Sequence, residues 1–296
     1  MLKRFAYHGF TVSNLDSSVA FYRDLMHMKL ERTYEVAGKA LEEATGFPGA
    51  HIKVAILNSE GNFLKLIQYL SPEGKKSFEA KVCDVGASHL AMGVDNVQET
   101  YEELRAKGVK FISPPIHPYP DNQKVFFTYM RDPDGMMVEL HRGVEHEGRT
   151  AFTWHHSYTV SDLDRALAFY RDILGLKALR TRQPKGKGIE EGTGLSEVDF
   201  TLIHMGLDLD ESIELFHFVH PKGKQQSELR LCDVGCSHVA FDVDDVQQAY
   251  EEFHAKGTKF ISRPVHLIEG GSELTMVYML DPDSYVVELR CGESSR

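Results

Sequence analysis

The sequence predicts an α+β protein made of four β-α-β-β-β units, arranged as two copies of a two-unit repeat. The repeat is visible directly, because the segment at residues 8–24 returns at residues 156–172 with most of its pattern intact. Later segments also match, residues 83–89 with 232–238 among them. A repeat this long indicates a duplicated globular domain, because solenoid units are only about 20–50 residues long.

The first unit is predicted from an alternating segment followed by helical spacing. Residues 5–12 alternate and carry aromatic and β-branched side chains, which is typical of a strand. Ser13 or Asn14 can cap a helix whose apolar residues, from Leu15 onward, recur at helical spacing. After a polar connection at residues 38–49, a hairpin is expected. The further strands of this unit are predicted at residues 30–34, 51–57 and 62–70.

The second unit repeats this order. A strand at residues 88–94 leads into an amphipathic helix at residues 97–107, which Gly108 ends. The strands that follow are predicted at residues 109–112, 124–130 and 136–141. In the second copy, the corresponding first helix, hairpin strands and closing unit are predicted at residues 164–174, 198–205, 212–219 and 237–289.

The chain length agrees with two domains of ordinary size. Its 296 residues allow each copy to bury a core of its own. Residues 142–150 are the one stretch with the pattern of a linker. We therefore predict a first domain at residues 1–146 and a second at residues 147–296.

Charge and cysteine content restrict the partners and the compartment. The net charge is −11 and the basic residues are dispersed, which argues against nucleic acid and membrane surfaces as partners. No apolar stretch approaches the roughly 18 residues of a membrane span. Four cysteines are too few for a disulfide scaffold, so we expect free thiols. The expected protein is cytoplasmic and acts on a small molecule, and a homo-oligomer is left open.

Each copy offers three residues of metal-ligand type on predicted strands. They are a histidine on the first strand, a histidine on the first strand of the second unit, and a glutamate on the last strand: His8, His89 and Glu139, then His156, His238 and Glu288. Two imidazoles and one carboxylate can occupy one face of a divalent metal and leave other positions open. A lone strand histidine is more often a core residue, but three such residues appear together twice. The two glutamates also sit between apolar neighbours, and a buried carboxylate is costly unless it is paired or bound to metal.

The motifs together resemble the vicinal oxygen chelate superfamily. These motifs are the Phe-Tyr-Arg-Asp helix, the Ser-His strand and the Tyr-x-x-Asp-Pro-Asp turn, and each occurs in both copies. The superfamily includes glyoxalase I, methylmalonyl-CoA epimerase, fosfomycin- and bleomycin-resistance proteins and type I extradiol dioxygenases. The resemblance implies that paired units form cup-shaped, partly open mixed-sheet half-barrels, each holding one divalent ion. Fe(II) is favoured, with Ni(II), Zn(II), Co(II) or Mn(II) as alternatives.

The resemblance leaves the pairing of units open. By position, His8, His89 and Glu139 would serve one cup, and His156, His238 and Glu288 the other. A swapped arrangement would instead join His8 with His238 and Glu288.

A fourth ligand position differs between the copies. Glyoxalase-like members carry a carboxylate in an Ile-Glu-Leu segment, and the second copy has Glu214 there. The first copy has Lys65, which could meet an anionic substrate oxygen or simply be a solvated strand residue. A set containing Glu214 suits isomerase or epimerase chemistry, in which a carboxylate moves a proton beside a metal. Alternatively, Glu214 is an ordinary carboxylate on an edge strand.

Four further residues are candidates for catalysis. Tyr129 and Tyr278 could donate to a substrate oxyanion, although a core tyrosine is an equal interpretation. His117 and His266 could act as acid or base, or could be loop residues with local hydrogen bonds. The histidine of the extradiol pattern is missing, because Asn122 and Gln123 or Gly271 and Ser272 stand in that region.

Three functions are compatible with this pattern. The preferred hypothesis is an Fe(II) ring-cleaving dioxygenase acting on a catechol-like diol, because two histidines and one glutamate occur in both halves of a four-unit chain. The alternative is a glyoxalase- or epimerase-type lyase or isomerase, which Glu214 favours. A resistance protein that sequesters a small molecule is the third, and the six ligand-type residues argue against it.

Overall fold

Two mixed β-sheets form the framework of this computed structural model. The structure describes residues 1–76, 79–118, 125–142, 152–207, 212–225 and 229–292, with only the backbone of residues 152–154. Within these residues the strands are β1 Leu2–Thr11, β2 Lys29–Ala37, β3 His51–Ser59, β4 Asn62–Ser71, β5 Ser88–Gly93, β6 Phe126–Arg131, β7 Met137–Arg142, β8 Phe152–Thr159, β9 Lys177–Arg182, β10 Asp199–Gly206, β11 Ser212–His220, β12 Ser237–Val243, β13 Lys259–Phe260, β14 Val265–Glu269, β15 Ser272–Leu280 and β16 Val286–Gly292. The α-helices are α1 Leu15–Ala20, α2 Lys39–Thr45, α3 Val97–Ala106, α4 Leu163–Leu167, α5 Lys187–Thr193 and α6 Val246–Ala255.

Each sheet takes one unit from each sequence repeat. The nine-stranded sheet has the order β13-β15-β16-β12-β1-β4-β3-β2, with β14 beside β15, and so joins the first unit to the fourth. The seven-stranded sheet has the order β6-β7-β5-β8-β11-β10-β9 and joins the second unit to the third. The swapped arrangement is therefore the one that forms. The predicted domain boundary at residues 146 and 147 lies outside the described residues.

The repeated Cys-Asp-Val-Gly segments hold these unit pairs together. Asp84 Oδ1 accepts the backbone N–H of Lys224 at 2.8 Å, and Asp233 Oδ1 accepts that of Lys75 at 2.8 Å. The two backbone segments approach so closely that a Cβ on Gly74 would lie 1.8 Å from the carbonyl oxygen of Cys232. A Cβ on Gly223 would lie 2.0 Å from that of Cys83. The motif is thus a symmetric contact between the two repeats, and glycine is required where they meet.

Two other repeated motifs are coupled to each other. Tyr22 lies in a π-helical turn that continues α1, and its hydroxyl donates to Asp132 Oδ2 at 3.1 Å. In the second copy Tyr170 donates to Asp281 Oδ2 at 3.0 Å. Both aspartates also accept backbone N–H groups of their own turns. The conspicuous helix and turn motifs of the sequence therefore fasten each helix to a turn between two strands.

Helices begin and end largely as predicted. Asn96 caps α3 by accepting the N–H of Glu99, and Gly108 follows the helix with φ +88°. Two local predictions differ from the structure. The polar connection at residues 38–49 contains α2, whose Leu41 and Ala44 are buried. The strand expected at residues 109–112 is reduced to an isolated bridge at Phe111.

The apolar core lies behind the sheets and between the helices. Leu90, Val138 and Leu140 alternate with the polar residues of their strands and pack into a cluster that includes helix residues Val97 and Leu104. Val239, Val287 and Leu289 occupy the matching places in a second cluster. Among the described residues, no helix is long and apolar enough to cross a membrane.

Candidate metal centre

Four strands of the seven-stranded sheet bring two histidines and two glutamates to one face. In the strand register, Ala91 of β5 lies opposite both Glu139 of β7 and His155 of β8. His89 is two residues before Ala91 and therefore shares its face, because side chains alternate along a strand. Glu214 of β11 joins the same group through its contact with His155. All four side chains are buried.

The donor atoms of this group lie within reach of one ion. One ligand atom each from His89, Glu139 and His155 can be chosen so that all lie within 4.8 Å of one another. His89 Nε2 is 3.0 Å from Glu139 Oε2, and His155 Nε2 is 3.1 Å from Glu214 Oε2. The other oxygen of Glu214 is 3.0 Å from Nε2 of His204, a buried residue of β10. Among the described residues, this is the one cluster with the spacing of a metal site.

The electrostatics of the cluster favour the protonation states that a metal requires. Burial would raise the pKa of both glutamates, but histidines more than offset it. The hydrogen bond and charge of His89 lower the pKa of Glu139, and the charges of His155 and His204 hold the pKa of Glu214 well below its usual range. Burial lowers the pKa of His155. Ionised carboxylates and neutral imidazole are metal-binding forms, so the donor set fits a divalent ion.

The predicted ligands His8 and His156 lie on the strand face opposite to the one that carries Tyr7 and His155. Their rings contact each other, with centroids 5.2 Å apart, between the two sheets. Burial lowers the pKa of His8 to about 3 and that of His156 well below its usual value. The structure therefore does not bring either residue to a ligand group. A shift of one residue along a strand reverses the face, and the residues that take their place are Tyr7 and His155.

The nine-stranded sheet carries a counterpart of the cluster at the same four positions. Gly9 lies opposite His238 on β12 and Lys65 on β4, while Ala240 lies opposite Tyr7 and Glu288. The counterpart cluster therefore consists of Tyr7, Lys65, His238 and Glu288. It differs from the metal cluster by tyrosine in place of His155 and lysine in place of Glu214.

Ion pairs and hydrogen bonds fill this counterpart cluster. Lys65, 2% exposed, forms a close ion pair with Glu269 and donates to the Tyr7 hydroxyl at 3.1 Å. Tyr7 in turn donates to Glu288 Oε2 at 2.5 Å. Arg290 Nη1 lies 3.7 Å from Glu269 and 3.9 Å from Glu288. Basic side chains thus neutralise the carboxylates from within the protein.

The counterpart cluster retains one histidine, His238, whose surroundings keep the ring neutral. Burial, with the positive charge of Lys65, lowers the pKa of His238 to about 3. Its Nε2 is 3.7 Å from Glu288 Oε2. The ring lies so close to β1 that a Cβ on Gly9 would be 2.1 Å from His238 Cε1. The counterpart opens onto a cavity of about 710 Å³ whose lining includes Tyr7, Glu269 and Arg290.

The predicted catalytic residues lie in four different settings. The ring of Tyr129 is 5.1 Å from that of His89, and its hydroxyl hydrogen-bonds to Glu139. Tyr278 lies 6.2 Å from His238 between ring centroids. His117 packs on Phe126 with centroids 3.9 Å apart. His266 is exposed on β14, 3.8 Å from Glu273.

His155 was not among the residues predicted from the sequence. It directly precedes His156, and the match of His156 with His8 hid it. Its face is distinguished only by the pairing between strands, because His155 is two residues from Ser157, which lies opposite Glu214. Asn122 and Gln123, which stand in the region of the missing extradiol histidine, lie outside the described residues.

Comparisons with known proteins agree on one group. The family model described as Glyoxalase/Bleomycin resistance protein/Dioxygenase superfamily matches residues 4–140 and 154–289. A relative from Arabidopsis thaliana, named "Probable lactoylglutathione lyase, chloroplastic", is 25% identical over 288 residues, covering 96% of this chain and 71% of the relative. The lactoylglutathione lyase of Schizosaccharomyces pombe is 25% identical over 309 residues, covering 94% and 93%.

A solved structure is similar over the same extent. A glyoxalase I variant from Zea mays has a TM-score of 0.70 at 22% identity, covering 97% of this chain and 92% of that one. At this identity the similarity concerns the fold. The prediction of an α+β protein with open mixed sheets is thereby confirmed.

Proposed function

Because the chain belongs to the Glyoxalase/Bleomycin resistance protein/Dioxygenase superfamily, as the sequence motifs predict, we propose that it is a metal-dependent lyase or isomerase of the glyoxalase I type. Its substrate would be a small molecule that binds the metal through two adjacent oxygens. The observation that carries the proposal is the second carboxylate, Glu214, held 3.1 Å from His155 beside the other donors. The names of full-length relatives, lactoylglutathione lyases, support it.

The ring-cleaving dioxygenase that the sequence first favoured has less support. That chemistry needs two histidines and one carboxylate on Fe(II), with the remaining positions left to substrate and oxygen. Here a second buried carboxylate adjoins the three donors. The two curated relatives compared over most of the chain carry lyase names. The lyase or isomerase alternative is therefore the better account of this site.

Each residue of the cluster has a role in the proposed reaction. His89, Glu139 and His155 would hold the ion, and Tyr129 would orient Glu139 through their hydrogen bond. A divalent ion bound there polarises two adjacent substrate oxygens and stabilises negative charge that develops on them. Glu214, ionised because of its neighbouring histidines, would take a proton from one substrate carbon and return it to the next.

We also propose one centre per chain, in place of the two that the repeat predicts. The cluster of the seven-stranded sheet combines His89 and Glu139 of the first repeat with His155 and Glu214 of the second. The counterpart cluster presents Lys65 where an ion would need a carboxylate. Both repeats are therefore required for one active site.

Metal analysis combined with two assays tests the proposal. The protein is purified without chelator, its metal content measured, and the apo-protein reloaded separately with Ni(II), Co(II), Zn(II), Mn(II) and Fe(II). We expect about one ion per chain and formation of the thioester lactoylglutathione from glutathione and methylglyoxal. Oxygen consumption with catechols by the iron form, without thioester formation, would contradict the proposal and support the dioxygenase.

A further inference from the structure

His204 is a buried histidine that neither binds the ion nor transfers the proton in the proposed reaction. It lies on β10, in the same sheet as the metal cluster, and its side chain is 4% exposed. We propose that His204 is the positioning residue for Glu214, fixing which carboxylate oxygen faces the metal cluster. This inference rests on the proposed function, because Glu214 is the proton-transferring group there.

The geometry holds Glu214 by both of its oxygens. His204 and Glu214 stand directly opposite each other on antiparallel strands β10 and β11. His204 Nε2 is 3.0 Å from Oε1, while His155 Nε2 is 3.1 Å from Oε2. The rings of the two histidines are nearly perpendicular, at 86° with centroids 5.1 Å apart. With Oε1 held by His204, the carboxylate presents Oε2 to the cluster.

The counterpart cluster provides an internal comparison. On antiparallel strands β3 and β4, Ile56 stands opposite Lys65, at the places of His204 and Glu214. Isoleucine fills a buried position there but cannot donate a hydrogen bond. Where the carboxylate has become a lysine, the histidine is also absent. Both members of the pair therefore differ between the sheets. This is expected if His204 orients the carboxylate, and it would not be expected if His204 only filled space in the core.

The hydrogen bond removes one rotational freedom of the carboxylate. A glutamate side chain turns easily about its last torsion, because that rotation is broad and roughly two-fold. With His204 in place, the Oε2 lone pairs keep a fixed direction towards the cluster. Residues that orient metal ligands and their neighbours in this way typically affect affinity or activity by about 10–100-fold.

Two substitutions of His204 separate orientation from packing. His204→Ile introduces the residue of the counterpart cluster, and His204→Gln keeps a buried N–H donor of similar reach. For His204→Ile we expect about one Co(II) per chain, since His89, Glu139 and His155 are intact, with an altered visible spectrum. We expect kcat to fall about 10–100-fold with KM changed less than about twofold. His204→Gln should recover most of the loss, and His8→Phe, in the other sheet, should match the wild type.

Three results would overturn the inference. These are wild-type kcat and cobalt spectrum in His204→Ile, equal losses in His204→Ile and His204→Gln, or crystal structures in which Glu214 keeps its place without His204. The crystal structures answer the question even if the wild-type protein forms no thioester or binds no metal. In that case the proposed function is wrong, but the crystal structures still show whether His204 positions Glu214.

Discussion

The two sheets share the order of their central strands and the four cluster positions, but they neutralise their buried carboxylates in different ways. The seven-stranded sheet surrounds Glu139 and Glu214 with His89, His155 and His204. The nine-stranded sheet surrounds Glu288 and Glu269 with Lys65, Arg290 and Tyr7. An ammonium group thus stands at the position that Glu214 occupies in the seven-stranded sheet. The comparison teaches that buried carboxylates on one fold can be neutralised either by histidines or by the basic side chains of Lys65 and Arg290.

The largest expected difference between the sheets is metal binding itself. His89→Ala should abolish binding of the single ion, and with it nearly all activity, because a donor of the only cluster in the described residues is lost. His238→Ala should leave metal content unchanged. Metal analysis of both variants after equal loading checks this. A loss of half the metal in each variant would mean that both sheets bind an ion.

The second difference concerns proton transfer. Glu214→Gln should retain at least part of the metal but reduce kcat by about 10²–10⁴-fold, the usual range for loss of a general base. Glu288→Gln, which removes a buried carboxylate from the other sheet, is the control and should change kcat less than about twofold. Thioester formation under saturating substrate measures both. Equal losses in the two variants would assign activity to both clusters.

The third difference is one of stability. Lys65→Met should reduce the free energy of unfolding by about 3–5 kcal/mol, because it leaves the buried Glu269 without its main partner. The double variant Lys65→Met with Glu269→Gln should recover much of that loss. Urea unfolding of the metal-free protein measures the effect. An unchanged free energy of unfolding in the Lys65→Met variant would show that Lys65 does not stabilise the buried Glu269.

The smallest expected difference is in how stability depends on pH at the two turns that contain Asp132 and Asp281. Burial raises the pKa of Asp132 to about 6 and that of Asp281 to about 7. Because both folded values exceed the ordinary one, the folded state binds the extra proton, so stability is highest below pH 4 and declines as pH rises through the folded pKa. Asp281→Asn should flatten this decline up to about pH 7, and Asp132→Asn only up to about pH 6.

Urea unfolding between pH 4 and 8 distinguishes the two variants. At pH 7 the gain in stability over the wild type should be larger for Asp281→Asn than for Asp132→Asn, because the folded pKa of Asp281 lies higher. The hydrogen bonds from Tyr22 and Tyr170 differ by only 0.1 Å and so do not by themselves predict a difference. Identical pH profiles would remove this distinction between the sheets.

The sequence was sufficient for the repeat, for most of the strands and helices, and for the buried carboxylates Glu139 and Glu288. Glu139 and Glu288 could be predicted because apolar neighbours on a strand point the other way, which leaves the glutamate on the polar face. The choice between His155 and His156 could not be made in this way, because both are buried and only the pairing of His155 with Ala91 distinguishes their faces.

The pairing of units was also beyond the sequence. It depends on contacts such as that of Asp84 with Lys224, which are 140 residues apart and leave no periodic pattern. The role of His204 required the same kind of information, because its partner Glu214 is on the neighbouring strand. Local periodicity determines which face a residue occupies, whereas contacts between strands determine what it meets there.

The exchange of units between the repeats has a consequence for the effect of substitutions. Lys65 and Tyr7 belong to the first repeat, whereas His238 and Glu288 of the same cluster belong to the second. A substitution in one repeat therefore changes the surroundings of side chains that the other repeat contributes. Neither repeat alone contains all four residues of either cluster.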